Sequence, residues 1–284
     1  MNVEDIMAVV VSYNGRESTR RTVLALSGQV GHIHIIDNGS EADSLEILDS
    51  LAREHGVSID RLGKNRGVGH ALNLGVAYAK KIGCTWLLTM DQDSTVDHGL
   101  IKAYQSAVQL DHRVASLSPR IGKKWSDSDP KYVNVHSAIT SGNLVRIGVF
   151  EKIGLYDEGF FIDCIDFDFS LRLRRAGYKL LRVQNTEMQH QLGEPTHLPA
   201  YVTKFYAQHS AARRYYQARN YLYLAERHFF RFPAFIIKMG ILRILLLVLI
   251  GVFDQDPRDS YCAIARGLRD YFGRRNGPFS GATR

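Results

Sequence analysis

Hydrophobic and polar positions alternate between two periods along the first third of the chain. Met7 to Ser12 (MAVVVS) is a short β-branched apolar run ending at Tyr13-Asn14-Gly15, which predicts a strand followed by a turn. Residues 17–28 repeat their apolar positions at helical spacing. His32 to Ile36 predicts a second strand, closed by Asp37-Asn38-Gly39-Ser40. Helical spacing returns over 43–55, with Asp43 or Ser44 as the expected N-cap. A glycine-rich segment, 63–75, leads into a third helix ending near Gly83. Thr85 to Met90 (TWLLTM) then predicts a strand that delivers Asp91-Gln92-Asp93-Ser94. Such alternation predicts an α/β fold, a mostly parallel sheet flanked by helices. Ligands of such sheets gather beyond the carboxyl ends of the strands. The polar clusters at 12–15, 37–40 and 91–94 are therefore expected to converge on one crevice.

The pattern changes farther on. Residues 113–160 read as strands and loops, and 164–176 as a helix stopped by Gly177. From 199 the chain turns helical, aromatic and basic. The expected organisation is an α/β domain over 1–198 and a helical extension over 199–284. At 284 residues with 45% hydrophobic content, the chain can bury a large core, which excludes a disordered or fibrous protein. Its net charge of +7 suits nucleic acid, an anionic membrane surface or a phosphorylated substrate. Much of the excess lies after residue 200, as in Arg213-Arg214 and Arg274-Arg275. Cys84, Cys164 and Cys262 are far apart and odd in number, which fits a reducing compartment better than a disulfide framework. Glu4 and Asp5 interrupt the first residues, so no signal peptide is read there and a cytoplasmic protein is expected.

Two regions carry candidate chemistry. Asp91 and Asp93 are separated by one residue at a strand end, so both carboxylates can face one side. Their mutual repulsion makes a cation such as Mg2+ or Mn2+ the natural relief. A solvated acidic turn is the ordinary outcome for an isolated D-x-D, but Trp86-Leu87-Leu88 upstream places this pair on a buried strand. Asp91-Gln92-Asp93-Ser94-Thr95 also matches the D-x-D-x-T pattern of haloacid-dehalogenase-like phosphatases, with Asp91 as nucleophile. In that family the motif ends the first strand of the core, whereas two strand-and-turn units precede it here. The second region is Gly159 to Asp168 (GFFIDCIDFD), whose three acids stand among aromatic and apolar residues. Capping of the following helix explains Asp163 most simply.

Taken in order, Val9-Val10-Val11-Ser12-Tyr13-Asn14, Ile36-Asp37-Asn38-Gly39-Ser40, Asn65-Arg66-Gly67-Val68-Gly69 and Asp91-Gln92-Asp93-Ser94 resemble family 2 glycosyltransferases, and within them the bacterial rhamnosyltransferase-like branch. The resemblance covers about residues 7–195. It implies a GT-A fold, Rossmann-like, and an inverting, metal-dependent transfer from a dTDP- or UDP-sugar, with dTDP-L-rhamnose foremost. The acceptor it implies is a glycan or lipid-linked glycan of bacterial surface polysaccharide synthesis. It assigns Asp37 to the nucleotide base, Ser12 and Tyr13 to the base and ribose, and Asn65 and Arg66 to the nucleotide-facing loop. Asp91 falls on a ribose or metal contact, and Asp93 on a metal ligand bridging the diphosphate. His190 matches a late metal-binding histidine. Asp166 matches the catalytic base, although Ile165 stands where many relatives have Glu, which keeps Asp163 and Asp168 in contention.

The tail admits three readings. Residues 213–232 interleave Arg with Tyr and Phe, as nucleic-acid binders do, yet such a module has no use for the carboxylates. Ile244 to Phe253 are ten uncharged residues, about 15 Å as a helix, half a bilayer core. An interfacial helix flanked by basic residues and a buried core or dimer helix stand level on the pattern alone. The resemblance tilts toward peripheral contact with the inner face of the cell membrane and away from nucleic acid.

Overall fold

The computed structural model describes residues 1–122, 125–126, 128–190, 206–254 and 256–279. The chain divides into two compact units, one formed by Met1–Tyr156 with Phe169–His190, the other by Asp157–Asp168 with Gln191–Arg284. The segment 157–168 thus groups with the C-terminal residues, where the sequence pattern had assigned it to the N-terminal domain.

The first unit is built on a mixed sheet. Its parallel half has the order β3 (Ser58–Arg61), β2 (His32–Asp37), β1 (Ile6–Ser12), β4 (Trp86–Asp91). All seven residues of β1 are buried, as expected of a central strand covered on both faces. The connecting helices are α1 (Arg16–Leu26), α2 (Ala42–His55) and α3 (Val68–Lys81). Helix α1 buries Thr19, Thr22, Val23 and Leu26, one stripe at 3.6-residue spacing. Helix α2 begins earlier than expected. Its N-cap is Glu41, which makes no side-chain cap bond. Instead Glu41 donates its backbone N–H to Asn14 Oδ1 at 2.8 Å, which ties the start of the helix to a distant loop, and Asp43 Oδ1 accepts from Ser44 N–H at 3.2 Å.

Beyond β4 the sheet continues through β8 (Asn143–Arg146), β6 (Val114–Ile121), β9 (Lys179–His190) and β5 (Ser94–Val96), while β7 (Tyr132–Asn134) pairs with β9. Here β4–β8, β8–β6, β9–β5 and β7–β9 run antiparallel. The sheet is therefore less parallel than the alternation predicted, because antiparallel neighbours need no intervening helix to announce them. Helices α4 (Leu100–Val108) and α5 (Val149–Ile153) complete the set, and α6 (Ile165–Arg175) has residues in both units. One apolar cluster, including Ile6, Ala8, Val10, Val23, Leu26, Leu48, Leu88 and Tyr104, fills the space between the sheet and α1, α2 and α4.

The second unit contains α7 (Ala211–His228), α8 (Pro233–Phe253) and α9 (Pro257–Phe272). Proline opens α8 and α9, where its missing N–H costs nothing. Arg214, Tyr215, Tyr216 and Arg219 of α7 are buried. Arg219 lies 5.2 and 5.1 Å from the ring centroids of Tyr215 and Tyr216. These arginine and aromatic side chains pack in the interior of the unit. Helix α8 is twice as long as the uncharged run and includes Lys238 and Arg243. It is long and apolar enough to cross a membrane, and 11% of its most apolar window is buried. The three cysteines are free, Cys84 and Cys164 buried and Cys262 exposed.

Candidate active site

Strand register assembles the first half of the site. Ser12 pairs with Asp37 across β1 and β2, and Val11 pairs with Asp91 across β1 and β4. Three parallel strands thus end level, and the three polar clusters meet at one edge, as expected. Side chains then tie the loops together. Tyr13 N–H donates to Gln92 Oε1 at 2.7 Å, and Gln92 Nε2 donates to Tyr13 O at 3.0 Å. Asn14 N–H donates to Ser40 Oγ at 2.9 Å. Asn38 Nδ2 donates to Asn65 Oδ1 at 3.1 Å, while Asn38 Oδ1 accepts from Arg66 N–H at 2.9 Å. From α1, Thr22 Oγ1 donates to the carbonyls of Gln92 and Ser94, both at 2.8 Å. From the turn just before β8, Ser141 Oγ accepts from Asp91 N–H at 3.1 Å.

Two glycines are required by this closeness. Gly39 has φ +93, and a Cβ there would stand 2.5 Å from Lys64 Cα. A Cβ on Gly15 would stand 2.1 Å from Thr19 Oγ1 and 2.5 Å from Gln92 Oε1.

The expected nucleotide residues differ in accessibility. Tyr13 is 46% exposed, and Asn65 and Arg66 are exposed. Ser12 is fully buried, its hydroxyl 3.2 Å from Thr19 Oγ1, so it braces the strand end. Asp37 is 1% exposed, and its two carboxylate oxygens accept from Ser40 N–H at 3.2 and 3.3 Å. Each carboxylate oxygen keeps a further lone pair for another donor.

Asp91 ends β4 and Asp93 immediately precedes β5. Both are partly buried, and Asp93 Oδ1 is shielded from solvent. The backbone of His190 pairs with Ser94, while its side chain lies outside the described residues. Among the described residues no group of three or more His, Cys, Asp or Glu side chains forms a ready cation cage. Two carboxylates one residue apart at a strand end, one with a shielded oxygen, nonetheless fit a hard cation that takes its remaining ligands from phosphate and water.

The second unit holds the acidic segment. Asp163 pairs with Arg213 at 3.3 Å. Asp168 is 1% exposed, with His228 Nε2 at 3.0 Å and Arg227 Nη1 at 3.6 Å from its Oδ1. Asp166 is half-buried in the first turn of α6, and its Oδ1 accepts from Phe167 N–H at 2.8 Å. Burial first, then the neighbouring Asp163 and Asp166, pushes the Cys164 thiol up to about 12 against the opposing pull of Arg243. It stays protonated and is no nucleophile.

Sequence patterns placed Asn14 and Gln92 in the converging clusters without giving either a role, and they did not mark Thr22. Gln92 had a readable signal, an amide between two acids at a strand end, but its partners are 79 residues away.

A family model described as Glycosyl transferase family 2 matches residues 7–176. The dTDP-rhamnosyl transferase RfbF of Shigella flexneri is 26% identical over 256 residues, covering 79% of this chain and 81% of that one. A poly-beta-1,6-N-acetyl-D-glucosamine synthase of Staphylococcus epidermidis is 31% identical over 98 residues, 34% of this chain and 23% of its own. Among solved structures, GalNAc-T7 with UDP, GalNAc and Mn2+ aligns at TM-score 0.57 and 19% identity, over 65% of this chain and 43% of that one. S. aureus TarS 1-349 with UDP-GlcNAc aligns at TM-score 0.52 and 14% identity, over 95% of this chain and 73% of the other. The fold is GT-A-like. The phosphatase alternative gains nothing, since Asp91 ends the fourth strand of the chain and not the first.

Proposed function

Since the chain belongs to glycosyl transferase family 2 and is a glycosyltransferase, we propose that it transfers L-rhamnose from dTDP-L-rhamnose, with inversion, to a hydroxyl of a glycan or lipid-linked glycan in bacterial surface polysaccharide synthesis. The observation that carries a nucleotide-sugar site is the level ending of β1, β2 and β4, with Asp37, Asp91 and Asp93 at one edge. The choice of sugar is supported by similarity to the Shigella flexneri transferase along most of both chains.

In this reading Asp37 accepts from the imide N–H of the base, which thymine and uracil share. Tyr13 and Asn65 line the base and ribose, Ser12 braces that wall, and Arg66 faces phosphate. Asp91 contacts the ribose or the cation. Asp93, with His190, would hold Mg2+ or Mn2+, whose charge offsets that of the departing nucleotide diphosphate. Asp166 takes the acceptor hydroxyl proton as that oxygen bonds to the anomeric carbon and the bond to the diphosphate oxygen breaks. The C-terminal extension after residue 198 contacts the inner face of the membrane peripherally, which the exposed apolar side chains of α8 support.

Titration calorimetry with dTDP and UDP, in Mn2+ or EDTA, tests the donor site. Binding should require metal and be lost in Asp93→Ala. Absence of binding by either nucleotide under both conditions would sink the reading.

A further inference from the structure

The backbone that delivers Asp166 is strained. Phe161, Asp163 and Cys164 have φ of +64, +60 and +66, values that side chains with a Cβ seldom adopt. Three such residues within four positions persist only where the surroundings over-determine them. Within the second unit one face of α7 does this. Arg213, Asn220 and Arg227 recur every seven residues, which places them on one side of the helix, and each engages the segment 157–168. Arg213 pairs with Asp163, and Arg227 pairs with Asp157.

The centre of the face is the tightest part. Asn220 is fully buried. Its Nδ2 donates to the carbonyls of Phe160, Ile162 and Asp163 at 2.8, 2.6 and 3.1 Å. Arg219, also fully buried, donates from Nη2 to the carbonyls of Gly159 and Phe160 at 3.0 and 3.3 Å. Its Nη1 donates to Gly277 O at 2.8 Å. Arg219 Nε donates to Asn220 Oδ1 at 3.0 Å, which turns the amide so that its N–H groups face the loop. A loop whose carbonyls are gripped from one side by two buried donors cannot relax its φ values without breaking several of those bonds.

We propose that Arg219 and Asn220, with Arg213 at the rim, are positioning residues that hold the strained loop and so aim Asp166. The proposal rests on the reading of Asp166 as the base. It does not assign Arg219 or Asn220 any contact with substrate. Its signature is a loss confined to turnover, because none of the residues proposed to hold the nucleotide belongs to the clamp or the loop it grips.

The test compares Asn220→Leu and Arg213→Gln with Asp166→Asn in the full chain, measuring kcat, donor KM, nucleotide Kd and hydrogen exchange of the 159–166 amides. Asn220→Leu should lower kcat about 10²-fold, the scale of a misplacement of ~1 Å, with KM and Kd unchanged and exchange in the loop accelerated. Arg213→Gln, at a side chain 42% exposed, should lower kcat about tenfold, roughly one hydrogen-bonded ion pair in size, with faster exchange around Asp163. If Asn220→Leu does not fold, the Arg213→Gln result decides. Unchanged kcat, or a loss of kcat matched by an equal loss of nucleotide binding, overturns the proposal. An inactive Asp166→Asn beside normal positioning variants sinks the clamp alone. A fully active Asp166→Asn sinks the base reading and the clamp with it.

Discussion

Asp166 stands between two acids that the fold has committed elsewhere. Asp163 is engaged by Arg213, and Asp168 lies buried against His228 and Arg227. Removing a partner from Asp168 would leave a buried charge uncompensated, a structural penalty. Asp166 is half-buried at the start of α6, and it is the acid that the proposed reading takes as the base. Asp166→Asn preserves shape and removes that capacity. It should lower kcat about 10²–10⁴-fold, the usual worth of a positioned base, while calorimetric nucleotide binding stays within about twofold. Near-normal turnover would exclude Asp166 as base.

At the scale of elements, α8 is the most unusual. Ile236 and Ile250 are buried, and Arg243 turns inward, where it bears on Cys164 and Tyr221. Ile237, Ile241, Ile244, Leu245, Val248 and Val252 are exposed on the other side. An inward arginine at mid-helix argues against lipid on all sides, and an exposed apolar face argues against plain solvent. The proposed interfacial placement is compatible with both, and exposed Lys238, Arg258 and Arg266 suit anionic headgroups. The double variant Ile244→Glu with Val248→Glu should reduce co-sedimentation with anionic vesicles by about tenfold or more. Its thermal midpoint should barely move, as expected for exposed positions. Unchanged sedimentation would exclude this face as the lipid contact.

At the scale of the whole molecule, one histidine is expected to contribute to the response to acid. Burial, then Arg213, Arg214 and Arg243, pushes His209 down from 6.5 to about 3. The unfolded chain therefore binds a proton at this position over a pH range where the folded chain does not. The resulting stabilisation is complete above pH 6.5 and is lost progressively as pH falls toward about 3. Thermal melts of the native chain and His209→Gln should lie nearest each other above about pH 6.5 and diverge most below about pH 4, with the variant the flatter of the two in between. Parallel curves would mean that His209 carries no such burden.

The local patterns of the first third were enough to specify β1, β2, β4 and the helices between them. Apolar runs and helical spacing are set by neighbours in sequence, and consecutive parallel units repeat them. The meeting of Ser12, Asp37 and Asp91 at one edge was equally legible, because parallel strands joined by helices must end on the same side. Strands were expected over 113–160, but the bounds and antiparallel pairing of those after β4 were not legible, since short strands such as β5 and β7 carry three residues of pattern each. Nor could sequence alone reveal that Gln92 bridges back to Tyr13, that Asn14 supplies the bond at the start of α2, or that Arg219 and Asn220 hold the loop before Asp166. Those contacts join residues 27 to 79 positions apart. Their partners are chosen by packing, which no local periodicity records.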